Sequence, residues 1–225
     1  MPKWSLSKLP EFFCGSQFEP LDQASWENLI TKTVILIQLA SGRRIIELAF
    51  MSFFCESISN SSVKFRWTPE FLAKAERDGS SWSPHRPAIS SIITEEKVLC
   101  PVRAFNIYYK RRSEEGPEAY NGRMWPFGKV TLSHLVVNTI KNSIGQSNPT
   151  MVTIGTHHLR KFAISLSWKF FKASEQDLFN KVGSKSMVTL LSTYIRDVPG
   201  VSVPCVVPLG TLMPNSKVIR KLCKS

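Results

Sequence analysis

Apolar residues recur at a helical spacing along most of this chain. Leu29, Ile30 and Val34 fall on one face of an α-helix. The pattern predicts a helix over residues 25–40, and Gly42 interrupts it just beyond that range. Similar patterns predict helices over residues 6–13, 43–54, 100–112, 131–143 (capped by Thr131 or Ser133) and 156–171, a short helix beginning at residue 174 and a last helix beginning at residue 186.

One region follows an alternating pattern instead. Residues 62–67 alternate polar and apolar side chains, as a half-buried β-strand does. Turn residues at 78–81 and a second segment at 86–93 provide an antiparallel partner, and residues 71–74 form either a short strand or a strand extension. The chain is therefore predicted to be α+β and mainly helical, with one small antiparallel sheet.

The prolines divide the chain into a core and two flanks. Three prolines interrupt residues 1–25 and four interrupt residues 199–225, and proline does not continue a regular helix. We therefore expect one domain over residues 1–225, which is an ordinary domain length. Within it we expect a lead-in over 1–25, a core over 26–198 and a tail without regular structure over 199–225.

Composition narrows the classes of partner. The chain has 29 Lys and Arg against 17 Asp and Glu, a net charge of +12, which indicates nucleic acid first and an anionic membrane second. No apolar run reaches the roughly 18–20 residues of a membrane span, and the N-terminus lacks the order of a signal peptide. Five scattered cysteines without a C-x-x-C pair predict neither a zinc site nor a disulfide framework. We expect an intracellular protein with reduced thiols.

Two pairs of residues at helical spacing suggest a site. His157 and Arg160 are separated by three positions on a predicted helix that Thr156 is expected to cap, so they can point at the same object. Arg44 and Glu47 have the same spacing. Each pair alone also fits a solvent-exposed basic helix or a surface ion pair, so other features must decide between these interpretations.

Phosphoryl transfer from DNA to a protein hydroxyl requires fixed positive charge and an ionisable nucleophile. Arg44 and Arg160 offer guanidinium groups that match phosphate geometry and stay protonated. Tyr194 offers a phenol, which ionises far more easily than a serine hydroxyl, and His157 can accept its proton. Because the cations are built into the chain, no metal and no cofactor are expected.

The leaving 5′ oxygen also requires an acid. A lysine on a β-hairpin can reach this oxygen, and Lys74 is the candidate, with Lys64 and Lys97 as alternatives. Other lysines on the surface are simply solvated, so position on the hairpin is the only distinguishing feature.

Several short strings together resemble a known set of catalytic boxes. They lie at residues 18–21, 31–33, 39–48, 71–74, 100–104, 156–161 and 194–197. They resemble the tyrosine recombinases (phage integrases), and among these the recombinases of DIRS-type retrotransposons, over about residues 4–210. The resemblance implies the mainly helical integrase catalytic domain, which clamps one face of duplex DNA.

The resemblance also implies a role for each matching residue. These are Arg44 as first arginine, Glu47 as its structural helper, Lys74 as hairpin lysine, His157 and Arg160 as second box and Tyr194 as nucleophile. The implied activity is DNA recombination or integration for a mobile element through a 3′-phosphotyrosine intermediate. The implied setting is duplex DNA in the nucleus, with self-association on DNA through the tail after the tyrosine.

The sequence departs from the family at one box. Integrases usually carry Gly-His or Gly-Trp before the tyrosine, whereas this chain has Gly183, Ser184 and Lys185. Ser184 or Lys185 can still hydrogen-bond a phosphate, but neither copies an imidazole. Two alternatives therefore stay open: a weak or inactive DNA-binding relic, and a type IB topoisomerase-like nicking and closing enzyme. The sequence also begins where the family's catalytic domain begins, so we expect the separate N-terminal clamp domain to be absent.

Overall fold

The structure is a computed structural model that describes residues 8–72, 88–90, 97–144 and 155–171. Those residues form helices and one small sheet. The helices are α1 (Lys8–Phe13), α2 (Trp26–Ser41), α3 (Ile45–Ala49), α4 (Pro101–Ser113), α5 (Lys129–Ile144) and α6 (Thr156–Phe171), with 3₁₀ turns at Lys97–Leu99 and Ala119–Gly122. The strands are β1 (Ser57–Ile58), β2 (Ser62–Lys64) and β3 (Ala88–Ser90).

Helix α2 lies at the centre of the domain. Ser25 caps it, since the Ser25 hydroxyl accepts a hydrogen bond from the backbone N–H of Asn28 at 3.2 Å. Gly42 ends it in the left-handed region at φ 64°, a conformation that glycine adopts without strain. The helix packs against α4, α5 and α6. The prediction for residues 25–40 is confirmed within one residue at each end.

Residues 8–25 belong to the core, although we expected a lead-in outside it. Leu9, Phe13, Phe18 and Leu21 are all at most 2% exposed and pack with the apolar residues of α2. Helix α1 also confirms the described part of the short helix predicted over residues 6–13.

A buried ion cluster joins this N-terminal segment to two helices. The Lys32 ammonium donates to Glu19 Oε1 at 2.6 Å and to the Phe13 carbonyl at 2.8 Å. The Arg103 guanidinium donates to both oxygens of Glu19 at 2.9 Å. We call Glu19, Lys32 and Arg103 the Glu19 cluster. Its members come from three of the strings that carry the family resemblance, so at least those strings have a structural reason to occur together.

Helix α3 is shorter than predicted. It ends at Ala49, whereas the apolar pattern predicted a helix over residues 43–54. Met51 and Ser52 instead pair with Trp67 and Arg123 as isolated β-bridges. A short apolar run does not distinguish helix from strand, and pairing with distant residues decided this one.

The predicted small antiparallel sheet is confirmed, and so is the mainly helical α+β class. The strand order is β1-β2-β3, with Val63 opposite both Ile58 and Ile89. Strand β2 ends at Lys64 rather than at the predicted residue 67. In the part of the chain that the structure describes, no helix is long and apolar enough to span a membrane.

Helices α4 and α5 follow the predicted pattern, with one corrected boundary. Pro101 occupies the first turn of α4 after the Cys100 cap, as expected. Helix α5 begins at Lys129, and the Gly128 carbonyl accepts from the Leu132 N–H at 3.1 Å. Thr131 and Ser133 are therefore inside the helix, and the prediction that either caps it is wrong.

Several predictions lie outside the described residues. They are the turn at 78–81, the helices beginning at 174 and 186, the tail over 199–225, and the candidate residues Lys74, Ser184, Lys185 and Tyr194.

Candidate active site

The first arginine of the site lies on the turn between α2 and α3. Arg44 has an extended backbone, and its N–H donates to Glu47 Oε2 at 3.2 Å. Its guanidinium donates to Glu47 Oε1 at 3.0 Å and its side chain is 33% exposed. Glu47 itself is buried, so the pair is not the surface ion pair that sequence spacing alone would also allow. The carboxylate holds both the backbone and the side chain of Arg44.

A second arginine on the same turn lies in the interior. Arg43 is 1% exposed, with Nη1 3.8 Å from Glu47 Oε2 and its guanidinium 5.7 Å from the centre of the Trp67 ring. Burial, together with the positive charges of Arg160 and Arg44, lowers the pKa of Arg43 to about 10, although Glu47 opposes this shift. Arg43 therefore stays charged at neutral pH. Sequence reasoning missed this residue, although Arg43 and Glu47 have i,i+4 spacing that could have indicated a pair.

The second box lies on the first turns of α6. Thr156 is the first residue of this helix, and the Gly155 carbonyl before it accepts from the His158 N–H at 2.9 Å. The Gly155 N–H in turn donates to His158 Nδ1 at 3.0 Å. Gly155 therefore occupies the cap position predicted for Thr156. His158 supplies the side chain that accepts from the Gly155 N–H at the start of the helix.

Arg160 brings the second box into contact with the first. It is fully buried, and its Nη1 donates to the Gly42 carbonyl at 2.7 Å, across 118 residues of sequence. Gln38 on α2 makes a second link, because its Nε2 lies 3.2 Å from the Thr156 carbonyl and 3.4 Å from the Arg43 carbonyl. The two boxes are thus held together by hydrogen bonds to backbone on both sides.

His157 faces the surface beside these cations. Partial desolvation, and then the positive charges of Lys161, Arg160 and Arg44, lower the pKa of His157 to about 4. The imidazole is therefore neutral at physiological pH. That protonation state is the one that a general base needs.

We call Arg43, Arg44, Glu47, His157 and Arg160 the arginine site. Its described residues include three guanidinium groups and one carboxylate. Guanidinium groups bind phosphate oxygens through paired hydrogen bonds. Within the described ranges, no group of three or more His, Cys, Asp or Glu side chains could hold a metal ion.

Four of the predicted site residues lie together, namely Arg44, Glu47, His157 and Arg160, and the other four lie outside the described residues. Of the two alternative lysines, Lys64 is exposed on β2 and Lys97 begins a 3₁₀ turn. Tyr108 is an unsuitable nucleophile, because its hydroxyl is buried and donates to the Met124 carbonyl, and burial raises its pKa.

The comparisons with known proteins give structural similarity only. A lambda integrase fragment, solved as a dimer bound to a COC′ core site, is 14% identical, with 88% of this chain and 60% of that chain covered at a TM-score of 0.49. A second lambda integrase dimer bound to a COC′ core site is 16% identical, with 86% and 47% covered at 0.48. This chain thus spans less than two-thirds of either one. No family model and no curated protein matches the sequence.

Proposed function

We propose that this chain is a DNA breaking and rejoining enzyme of the tyrosine recombinase type, acting on duplex DNA. One observation carries the proposal. Arg44 and the His157–Arg160 pair, from distant parts of the chain, are brought together in one site by the bond from Arg160 to the Gly42 carbonyl and by the pairing of Arg44 with Glu47. Fixed cations beside a neutral imidazole suit the transfer of a phosphoryl group to a hydroxyl.

In the proposed reaction the Tyr194 oxygen attacks the scissile phosphorus. The bond to the 5′ oxygen breaks, and the DNA 3′ end becomes a phosphotyrosine. His157 accepts the tyrosine proton, and Lys74 donates a proton to the leaving 5′ oxygen. Arg44 and Arg160 offset the charge that develops on the non-bridging oxygens. Attack by a 5′ hydroxyl on the phosphotyrosine reverses these steps and rejoins a strand.

The proposed partner is duplex DNA, bound largely through its phosphates. The net charge of +12 supports this choice. We expect the logarithm of the affinity to fall linearly with the logarithm of the salt concentration, by roughly 0.9 per phosphate neutralised. A DIRS-type retrotransposon origin, a nuclear location and self-association through residues 199–225 belong to the same proposal and rest on the sequence strings and the proline-rich tail.

A second candidate function is DNA binding without turnover. The observation that favours it is Ser184, which stands where the resemblance implies a histidine. Loss of one such hydrogen-bond donor slows catalysis by about 10²–10³-fold. An enzyme that has lost it would be weak, and a relic would be inactive.

The test is covalent trapping on a nicked suicide duplex. Wild-type protein should form an adduct that resists SDS, and Tyr194→Phe should form none while binding DNA with equal affinity. Tyr120→Phe is the matched control and should leave the adduct unchanged. An adduct that survives in Tyr194→Phe would assign the nucleophile to another residue.

A comparison of wild type with Ser184→His distinguishes a weak enzyme from an inactive relic. Ser184→His should increase the rate of adduct formation over wild type. If both proteins bind DNA and neither forms an adduct, the chain is a binding module. If adducts form and plasmid is relaxed without two duplexes being brought together, the topoisomerase-like alternative is correct.

A further inference from the structure

Gln38 is a fully buried glutamine in the otherwise apolar last part of α2. Its Nε2 lies 3.2 Å from the Thr156 carbonyl and 3.4 Å from the Arg43 carbonyl. A side-chain amide nitrogen carries two N–H donors, so one side chain can serve both carbonyls. These carbonyls belong to the two backbone segments that carry the arginine site.

A second hydrogen bond crosses the same junction in the opposite direction. Gln38 reaches from α2 to the backbone at the start of α6, whereas Arg160 reaches from α6 to the Gly42 carbonyl beyond α2. One bond between two segments leaves them free to rotate about it. Two bonds at different points constrain both the distance and the angle between α6 and the turn that carries Arg44.

The chemistry of Gln38 also argues against a role in packing alone. Its Oε1 is buried and has no hydrogen-bond partner among the residues that the structure describes. A buried amide oxygen without a partner destabilises a fold, and methionine or leucine would avoid that penalty. The two N–H donors of the side-chain amide therefore explain why a glutamine occupies this position.

We propose that Gln38 is a positioning residue that sets the placement of His157 and Arg160 relative to Arg44. Its amide nitrogen lies against two backbone carbonyls, so it acts through the backbone segments that it bonds. The kinetic consequence rests on the proposed function, whereas the structural consequence does not. Displacement of a catalytic group by about 1 Å costs on the order of 10²-fold in rate.

The test compares two variants that each remove a buried hydrogen bond from α2. Gln38→Met keeps the length of the side chain and removes both donors. Thr33→Val is the matched control, because Thr33 is fully buried on the same helix and its hydroxyl donates to the Leu29 carbonyl at 2.7 Å, away from the site. Gln38→Leu is a second donor-free variant if Gln38→Met is poorly folded.

The first measurement does not depend on turnover. The ring signals of His157 are titrated by NMR in the free protein, where burial and then the positive charges of Lys161, Arg160, Arg44 and His158 lower the pKa of the ring. We expect a pKa of about 4 in wild type and Thr33→Val. In Gln38→Met the pKa should rise above the wild-type value, because movement of α6 away from the turn reduces the burial of the ring and its proximity to Arg44, the two causes that do not lie on α6 itself.

The second measurement is the single-turnover rate of adduct formation, with DNA affinity measured alongside. Gln38→Met should be slower by about 10–100-fold with unchanged affinity, whereas Thr33→Val should match wild type. If Gln38→Met matches Thr33→Val in both the rate and the His157 pKa, the positioning role is wrong and the proposed function stands. If wild type forms no adduct, the proposed function fails and the His157 titration alone decides the role of Gln38.

Discussion

The Glu19 cluster and the arginine site each place one carboxylate among cations, but they differ in the number of cations and in how closely the carboxylate contacts them. In the Glu19 cluster one carboxylate meets two cations, and both of its oxygens are engaged at 2.6–2.9 Å. In the arginine site one carboxylate meets Arg44 at 3.0 Å and Arg43 at 3.8 Å, with a third guanidinium close by. In the Glu19 cluster both carboxylate oxygens accept hydrogen bonds from the cations, and this arrangement stabilises the fold. The arginine site has more guanidinium groups than carboxylates among the described residues, and we propose that it binds phosphate.

The pKa of Glu19 supports a stabilising role for the Glu19 cluster. Burial alone would raise the pKa of Glu19, yet hydrogen bonds from Arg103 and Lys32 hold it below its usual value. The ionised form of Glu19 is therefore favoured by the folded state, as expected for a carboxylate that stabilises it.

The largest expected effect is on stability. Glu19→Gln leaves Lys32, which is fully buried, without its charge partner, and should reduce the free energy of unfolding by about 3–5 kcal/mol. Urea denaturation measures this change, with the exposed Glu27→Gln as control. Adding Lys32→Met to Glu19→Gln should recover part of the loss, because it removes the unpaired charge. Equal stability of Glu19→Gln and Glu27→Gln would show that the cluster does not stabilise the fold.

The next effect is on catalysis. Arg44→Ala should slow adduct formation by about 10²–10³-fold, because transition-state charge is left unmatched. Its stability should change less than that of Glu19→Gln, since Arg44 is partly exposed and Arg43 remains 3.8 Å from Glu47. Arg66→Ala, which removes an exposed arginine elsewhere, controls for the loss of net charge. If Arg44→Ala destabilises the protein as strongly as Glu19→Gln is expected to, the arginine site and the Glu19 cluster do not differ in this respect.

A smaller effect should appear when an anion is added without DNA. Inorganic phosphate at about ten times its dissociation constant should stabilise wild type by about 1.4 kcal/mol. Thermal unfolding in phosphate and in chloride at matched ionic strength measures the difference. Arg44→Ala should lose this gain and Glu19→Gln should keep it. Identical gains in both variants would mean that phosphate binds elsewhere.

A fourth effect concerns pH. The pKa of His157 is about 4 in the folded protein and about 6.5 in an unfolded chain, so the unfolded state binds more protons between these values. Stability should therefore fall as the pH drops from about 6.5 towards about 4. His157→Gln should flatten this part of the curve, and His134→Gln on the exposed face of α5 should not. Equal slopes in all three proteins would show that His157 titrates normally.

The local part of this structure could be predicted from the sequence. Helix α2 follows from apolar spacing, a serine cap and a terminal glycine, all of which act within a few residues. The pairing of Arg44 with Glu47 follows from i,i+3 spacing in the same way. These features depend on short-range geometry that the order of residues determines.

The remainder depends on contacts between distant residues. The end of α3 is set by Met51 pairing with Trp67, and the core position of residues 8–25 by Glu19 meeting Arg103. Gln38 did leave a signal, as a lone amide in an apolar run, because a buried polar group needs a partner. Its partner, the Thr156 carbonyl, is 118 residues away in the sequence. Patterns of local spacing do not predict contacts between such distant residues.

The span of these contacts determines when each cluster can assemble on a growing chain. Synthesis proceeds from the N-terminus, and domains begin to fold as their residues emerge. The Glu19 cluster can close once Arg103 has emerged, across 84 residues. The arginine site also needs Arg160, which bonds the Gly42 carbonyl across 118 residues. All residues of the Glu19 cluster are therefore synthesised before Arg160, so the contacts of the arginine site are the later of the two to become possible.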